Sequence, residues 1–273
     1  MQDTTIAFSG AGNMASALFG GLIKQGFAAS QIRATDPSET CREQAANMGV
    51  IAGTDNVAAI KDADAVVIAV KPQVLKQVLA PLQNALAEKK PLLISIAAGI
   101  DLASLQNWAG PGVPIVRCMP NTPALVQAGA TGLYASDAVS DQQQLLAENI
   151  LDAVGISVWV AREADLDSVT AVSGSGPAYF FMVMEAMQQA GEKLGLPAAV
   201  AKQLTLQTAL GAAKMALESD VSPAELRRRV SSPGGTTLEA IKTFEAGGLV
   251  PLFEDAMTNC AARSVELAKE LGD

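Results

Sequence analysis

The 273-residue sequence contains no histidine. This absence excludes acid–base catalysis by imidazole, catalytic triads that include histidine and metal sites with histidine ligands. We therefore predict chemistry that uses neither imidazole nor a metal ion. Cysteine is scarce too: Cys41, Cys118 and Cys260 are odd in number and widely spaced. That usage is typical of reduced thiols in a cytoplasmic protein and not of a disulfide framework.

Extended basic runs and long apolar runs are also missing. The formal net charge is -9, which argues against a surface that neutralises nucleic acid phosphates or docks on an anionic membrane. Apolar stretches such as Ala65–Val70 are far shorter than the roughly 20 residues needed to span a bilayer. Met1–Thr4 lacks the basic region of a secretory signal. We expect a cytoplasmic protein whose partner is a small molecule.

The residue patterns divide the chain near residue 162. Up to that point short β-branched runs alternate with longer amphipathic ones, which indicates βαβ units and a mostly parallel sheet. The expected strands are Thr5–Phe8, Ile32–Thr35, Ala65–Val70, Leu92–Ile96, Pro114–Arg117 and Ile156–Val160. From Glu163 onward helical periods separated by glycine and proline take over. We predict an α/β Rossmann-like domain at residues 1–162 and an all-α domain at residues 163–273.

One helical period in the second half is apolar on more than one face. Gln203–Leu217 carries Leu204, Leu206, Leu210, Met215 and Leu217, and such a helix needs cover on several sides. In so small a domain another subunit is the favoured source of that cover. The alternative is the central helix of a monomeric bundle.

A glycine-rich turn follows the first expected strand. Gly10-Ala11-Gly12-Asn13-Met14-Ala15 leads directly into a helical period, and Asp36 ends the second expected strand. Gly10 permits the tight turn and Gly12 lets the backbone approach a pyrophosphate at the helix start, although alanine replaces the usual third glycine. A structural turn is the alternative, but the position of the motif favours a dinucleotide site.

Two further segments follow strands at the edge where open α/β sheets bind ligands. Lys71 would place a cation near the cofactor phosphates or ribose, or it is a solvated lysine in a turn. The small residues of Ala97-Ala98-Gly99 would let a nicotinamide ring approach the backbone.

Glycine and hydroxyl residues precede two helical periods in the second half. Ser231–Thr237 forms a nest of backbone N–H groups suited to a carboxylate, or an ordinary N-cap. Ser173–Tyr179 puts proline at the start of a long helix. With the dinucleotide turn, these helix starts predict an anionic substrate and hydride transfer. Because an imine nitrogen can carry its own proton, a chain without histidine suits an imine better than a ketone, although lysine can also serve as an acid.

Together these segments resemble the pyrroline-5-carboxylate reductase family over nearly the whole chain. The matching blocks are Gly10–Met14, Ala69–Pro72, Ser95–Gly99, Arg117–Pro123, Ser173–Tyr179 and Ser232–Thr237. The resemblance implies hydride transfer from NADPH or NADH to the imine carbon of 1-pyrroline-5-carboxylate, giving L-proline in the last step of proline biosynthesis. It also implies an intertwined homodimer, commonly assembled into a decamer.

The resemblance assigns site residues as well. The implied substrate contacts are Glu163, Asp220, Ser232, Gly235, Thr236 and Thr237. The implied cofactor contacts are Gly10, Gly12, Asn13, Met14, Asp36, Asn56, Ala69, Val70, Lys71 and Ala97. Among the substrate contacts, Thr237 matches the threonine whose hydroxyl meets the ring nitrogen, and it is the predicted catalytic residue.

Asp36 departs from the family pattern, in which many members have serine or another neutral or basic residue. A carboxylate there would accept hydrogen bonds from the ribose 2′-hydroxyl of NADH and repel the 2′-phosphate of NADPH. Arg33, Ser38 and Arg42 are close enough in sequence to offset that charge. The preference between the two cofactors therefore stays open.

Two rival functions remain at this point. A β-hydroxyacid dehydrogenase would place a catalytic lysine in the helix after Gly176, where no lysine occurs before Lys193. A sensor that binds NAD(P)H without turnover would not need the Ser232–Thr237 segment. A six-membered imine also remains possible as substrate, because one methylene changes pocket fit by only about 1 to 3 kcal/mol.

Overall fold

The computed structural model describes residues 4–272. Its strands are β1 (Ile6–Ser9), β2 (Ile32–Thr35), β3 (Ile51–Gly53), β4 (Ala65–Ile68), β5 (Leu92–Ser95), β6 (Ile115–Met119), β7 (Gly129–Ala135) and β8 (Gly155–Trp159). Its α-helices are α1 (Asn13–Lys24), α2 (Glu39–Asn47), α3 (Asn56–Ile60), α4 (Pro72–Leu79), α5 (Gln83–Lys89), α6 (Leu102–Ala109), α7 (Asp141–Leu151), α8 (Asp165–Val169), α9 (Gly176–Lys193), α10 (Ala198–Leu217), α11 (Pro223–Arg229), α12 (Thr236–Ala246) and α13 (Leu249–Gly272).

The strands form one sheet in the order β3-β2-β1-β4-β5-β6-β7-β8. Neighbouring strands run parallel, except that β6 and β7 are antiparallel. The predicted mostly parallel sheet followed by helices is confirmed. Strand order reverses beside β1, which pairs with both β2 and β4. Open α/β sheets bind ligands at such a switch point, outside the carboxyl ends of the strands.

The sequence patterns did not predict two of the observed strands, β3 and β7. β3 has only three residues, and its Ile51 is half exposed, so it shows no hydrophobic period. β7 is built largely from glycine and alanine, which have low strand propensity. Its pairing with β6 and β8 overrides that propensity. Gly132 in β7 is required by packing, because a Cβ there would lie 2.7 Å from Cγ1 of Val169.

The central strands β1, β4 and β5 are buried on both faces of the sheet, whereas the edge strands β3 and β8 are partly exposed. Phe8 and Val67 contribute to one apolar cluster with α1, whereas Ala7 and Val66 face a second cluster that includes residues of α4 to α6. In the first cluster the rings of Phe8 and Phe19 meet edge to face with centroids 5.6 Å apart. Because parallel sheets covered on both sides are buried throughout, their strands read as near-continuous apolar runs.

The contacts divide the chain into two compact units. One contains the residues up to Ser175 together with those from Asn259 onward, and the other contains Gly176–Thr258. The domain boundary expected after residue 162 stays a prediction, since this division falls later in the chain. No helix among residues 4–272 combines the length and apolarity that crossing a membrane requires.

The second unit has almost no interior of its own. Within Gly176–Thr258, the buried residues are Gly176, Ala201 and Thr205. Large apolar side chains are exposed instead, including those of Phe180, Phe181, Met182, Leu204, Leu206, Leu210, Met215, Phe244, Val250 and Leu252. An exposed apolar surface of this extent is typical of an interaction surface.

Adjacent glycines in α1 provide a matched test of its packing. A Cβ on Gly21 would lie 2.3 Å from the carbonyl oxygen of Ala153, whereas a Cβ on Gly20 would approach only Sδ of Met48, at 3.9 Å. We predict that Gly21→Ala lowers the free energy of unfolding by roughly 1 to 3 kcal/mol through overpacking. Gly20→Ala should raise it by up to about 1 kcal/mol through helix propensity. Urea unfolding followed by circular dichroism measures both, and equal effects would contradict this packing of α1.

Candidate active site

The glycine-rich turn lies between β1 and α1 and packs against the segment after β4. Gly10 has a φ of +102°, and a Cβ there would lie 2.4 Å from the carbonyl oxygen of Ala69. The turn therefore requires glycine at this position both for its backbone angle and for its close approach to Ala69. Val70 lines the same contact, with its Cγ1 3.2 Å from that Cβ position.

Helix α1 begins immediately after this turn. Its N-cap residue is Gly12, which has no side chain to accept the first N–H groups of the helix, and Asn13 is exposed at its first position. Met14 is partly buried against the core. A helix start with free N–H groups and a positive dipole end favours an anion such as a pyrophosphate. A dinucleotide fits this helix start, since no side chain caps it at Gly12.

Three chain segments emerge side by side at the carboxyl edge of the sheet. Ser9 in β1 is in register with Ile68 in β4, and Ile68 is in register with Ser95 in β5. The residues that follow these positions include the turn at Gly10, the segment through Lys71 and the segment through Ala97. Lys71 is the exposed N-cap of α4, and Ala97 is buried.

Asp36 binds the glycine-rich turn directly. Its Oδ2 accepts a hydrogen bond from the backbone N–H of Ala11 at 2.9 Å, and its Oδ1 accepts one from Ser38 at 2.8 Å. Arg42 donates from Nη1 to the carbonyl oxygens of Asp36 and Pro37, each at 2.8 Å. The carboxylate thus joins the loop after β2 to the turn after β1, a contact that sequence spacing alone does not predict.

Asn56 lies at the same edge of the sheet. It is the first residue of α3, and its Oδ1 accepts a hydrogen bond from the hydroxyl of Thr35 at the end of β2. The backbone N–H of Asp36 donates to the carbonyl oxygen of Gly53 at 3.2 Å. Asn56 and Asp36 are therefore anchored to adjoining ends of β2 and β3.

Glu163 has partners that the sequence did not indicate. Its Oε1 accepts hydrogen bonds from the backbone N–H of Leu102 at 2.6 Å and from Nη1 of Arg117 at 2.7 Å. Arg117 is buried, whereas Glu163 is partly exposed. The predicted contact between Glu163 and substrate stays a prediction, and the contacts described here point to a role within the first unit.

The Ser173–Tyr179 segment is more irregular than a simple helix start. A π-helical turn occupies Thr170–Gly174 before α9 begins at Gly176. The amide Nδ2 of Asn121 donates to the carbonyl oxygen of Ser173 at 3.0 Å, while its Oδ1 accepts from the N–H of Ala130 at 2.9 Å. Asn121 thus joins the π-helical turn to β7, and its place in the Arg117–Pro123 block was the available sequence signal.

In the second unit, the Ser232–Thr237 segment is a turn that leads into α12, and the N–H of Gly235 donates to the carbonyl oxygen of Ser232 at 3.0 Å. Gly234 has a φ of +71°, and Gly235 is the N-cap of α12 with no side-chain acceptor. A Cβ on Gly235 would lie 2.8 Å from Oγ of Ser232. Thr236 and Thr237 are exposed in the first turn of α12. Backbone N–H groups in such a turn converge on an anion.

The helix before this segment is held by charge pairing. Glu225 in α11 accepts from Nε of Arg228 at 2.6 Å and from Nε of Arg229 at 2.9 Å. The hydrogen bonds from Arg228 and then Arg229 hold the pKa of Glu225 at about 2. Asp220 is exposed in the connection between α10 and α11. Its predicted contact with substrate stays a prediction.

The sequence and the fold both match known proteins. Residues 163–267 match a family described as pyrroline-5-carboxylate reductase dimerisation, and residues 5–99 match one described as NADP oxidoreductase, coenzyme F420-dependent. A pyrroline-5-carboxylate reductase from Pseudomonas aeruginosa is 55% identical over 273 residues, covering 100% of both chains.

Solved structures agree with that relationship. A pyrroline-5-carboxylate reductase from Coxiella burnetii has a TM-score of 0.94 and 45% identity, covering 97% of this chain and 98% of its own. A pyrroline carboxylate reductase from Plasmodium falciparum, solved with NADP bound, has a TM-score of 0.86 and 29% identity, covering 98% and 99%. With a full-length relative above half identity, the chain belongs to the pyrroline-5-carboxylate reductase family.

Proposed function

We propose that the protein reduces 1-pyrroline-5-carboxylate to L-proline, the last step of proline biosynthesis, with hydride from NADPH or NADH. Two observations support this proposal. The chain has two helix starts suited to anions, one at Gly10–Met14 and one at Ser232–Thr237, and it is 55% identical to a pyrroline-5-carboxylate reductase. One start suits a pyrophosphate, and the other suits a small carboxylate. The full-length match favours this activity over a β-hydroxyacid dehydrogenase or a sensor.

The substrate carboxylate is proposed to bind at the backbone of Gly235, Thr236 and Thr237, with the hydroxyl of Ser232 beside them. The N–H of Gly235 donates to the carbonyl oxygen of Ser232 at 3.0 Å, so the donors to the carboxylate would be the N–H groups of Thr236 and Thr237. Thr237 is the second residue of α12 and is exposed to solvent. It is therefore proposed to hydrogen-bond the ring nitrogen of a carboxylate-anchored substrate. Because a protonated imine is already electrophilic, its N–H can donate to the hydroxyl oxygen of Thr237, and no histidine is needed.

The cofactor is proposed to lie along the carboxyl edge of the first unit. Its pyrophosphate would bind the N–H groups at Gly12, Asn13 and Met14. The turn before them requires glycine at position 10, because a side chain there would clash with Ala69. Val70, Lys71 and Ala97 lie on the neighbouring segments, and the nicotinamide supplies the hydride. Asp36 and Asn56 would face the adenosine ribose, so Asp36 sets the balance between NADH and NADPH.

The same proposal includes a homodimer formed through Gly176–Thr258, assembled into a decamer in a cytoplasmic setting. Exposed apolar side chains along α9 and α10 and the match to a dimerisation family support the dimer. The larger assembly follows from the family resemblance. The cytoplasmic location is supported by the three cysteines, which are all free.

The first test measures oxidation of NADPH and NADH with pyrroline-5-carboxylate and with a six-membered cyclic imine carboxylate. We expect turnover of the five-membered imine, and its absence with both cofactors would reject the proposed function.

Thr237→Val should lower kcat by roughly 10- to 1,000-fold, on the scale of losing one catalytic hydrogen bond. Thr237→Ser keeps the hydroxyl and should retain most of the activity. If both variants match the wild type, Thr237 has no catalytic role.

Asp36→Asn tests cofactor choice because it removes the charge but keeps one oxygen acceptor at the turn. We predict that the ratio of kcat/KM for NADPH to that for NADH rises by roughly 10- to 100-fold, since a carboxylate repels the 2′-phosphate at short range. Glu43→Gln makes the same charge change at an exposed position in α2 and should leave the ratio unchanged. An unaltered ratio in Asp36→Asn would mean that this carboxylate acts only within the turn.

Phe181→Glu tests the proposed interface. The side chain of Phe181 is 63% exposed in α9, and a buried carboxylate at a subunit interface is strongly unfavourable. We expect light scattering after size-exclusion chromatography to show a single-chain mass for this variant. Leu145→Glu introduces the same charge at a position 57% exposed in the first unit and should keep the wild-type mass. The wild-type run itself separates a dimer from a decamer.

A further inference from the structure

The pair formed by Glu163 and Arg117 differs from the other ion pairs of the described chain by its burial. The side chain of Arg117 is 10% exposed and that of Glu163 is 29% exposed, whereas Arg162 in the neighbouring Arg162–Asp165 pair is 78% exposed. A guanidinium removed from water needs a charged partner with good hydrogen-bond geometry. Glu163 supplies that partner at 2.7 Å.

Arg117 lies in the middle of the sheet. Its position in β6 is in register with Ser95 in β5 and with Tyr134 in β7. Ser95 is the last residue of β5, and the segment that follows it includes Ala97 and Gly99. Arg117 therefore stands beside the strand end from which this segment emerges.

The same carboxylate oxygen also binds the far end of that segment. Glu163 Oε1 accepts from the N–H of Leu102, which is the first residue of α6, while Asp101 caps the N–H of Ser104 at 2.8 Å. Two of the N–H groups at the start of α6 are thus satisfied by carboxylates. The segment from Ile96 to Asp101 is held by the sheet at one end and by Glu163 at the other.

We propose that Glu163, through Arg117 and the N–H of Leu102, is a positioning residue that sets the Ile96–Asp101 segment against the nicotinamide ring. This inference rests on the proposed function and on the expectation that the small residues of Ala97-Ala98-Gly99 let the nicotinamide ring approach the backbone. It replaces a direct contact between Glu163 and substrate with action through the backbone. Orientation of a reactive ring is sensitive to small shifts, because a misplacement of about 1 Å can cost roughly 100-fold in rate.

Two variants remove one contact each and retain most of the packing. Glu163→Gln keeps an oxygen acceptor for Leu102 and removes the charge facing Arg117. Leu102→Pro removes the backbone N–H that donates to Glu163. Proline is well tolerated at this position because Leu102 is the first residue of α6. The preceding Asp101 has the extended backbone that a following proline requires. Leu102→Ala is the matched control, since it truncates the side chain and keeps the N–H, and Asp165→Asn is the control for Glu163.

The readout compares the preferred dinucleotide with its counterpart lacking nicotinamide, which is ADP-ribose or its 2′-phosphate. We expect Glu163→Gln and Leu102→Pro to lower kcat/KM for the dinucleotide by roughly 10- to 100-fold and to raise its dissociation constant, measured by its fluorescence. The dissociation constant of the nicotinamide-free fragment, measured by calorimetry, should match the wild type. Asp165→Asn should behave like the wild type in both measurements. Because the Leu102 side chain packs against the second apolar cluster, Leu102→Ala shows the effect of lost packing alone, and it should keep the wild-type ratio of the two dissociation constants.

Three outcomes would overturn the inference. Wild-type kinetics in Glu163→Gln would show that the carboxylate does not position the Ile96–Asp101 segment. Equal weakening of the dinucleotide and its fragment would indicate a general loss of structure, and a lower melting temperature without a change in kinetics would indicate a role in stability alone. Failure of the proposed function is distinguishable, because the wild type would then show no turnover at all.

Discussion

The close approach of Gly10 to the carbonyl oxygen of Ala69 is the contact on which the first unit's site depends. It requires β1 and β4 to lie side by side in parallel register, which the apolar faces of both strands enforce. Once this register is set, β5 follows in the same direction, and the ends of the three strands come together. The helix start at Gly12 then faces the same edge, because α1 leaves the turn without an intervening loop.

Sequence patterns predicted the fold well wherever one signal dominated. Apolar runs buried on both faces identified β1, β2, β4, β5 and β6, and the loss of such runs after residue 162 predicted the helical region. The patterns failed for β3, which is too short to show a period, and for β7, whose Gly132 packs against Val169 and pairs with β6. In both strands, neighbours in space determine the structure more strongly than local propensity.

The site was predictable at the level of segments and less so at the level of side-chain partners. The glycine-rich turn and the Ser232–Thr237 segment are local motifs, so their geometry follows from their own residues. Asp36 and Glu163 act over long sequence separations, the first on Ala11 and the second on Leu102 and Arg117. Nothing in the spacing of these residues signals a hydrogen bond, because each contact forms only after the sheet register is set.

The second unit, with three buried residues between Gly176 and Thr258, has a consequence for how the protein exists in solution. Helices that bury so little surface against one another cannot recover the conformational entropy lost on folding. Their order must come from association, which makes the unfolding midpoint depend on protein concentration. The Ser232–Thr237 segment belongs to this unit, so dilution would disorder the proposed carboxylate site while the sheet that carries the proposed dinucleotide site stays folded.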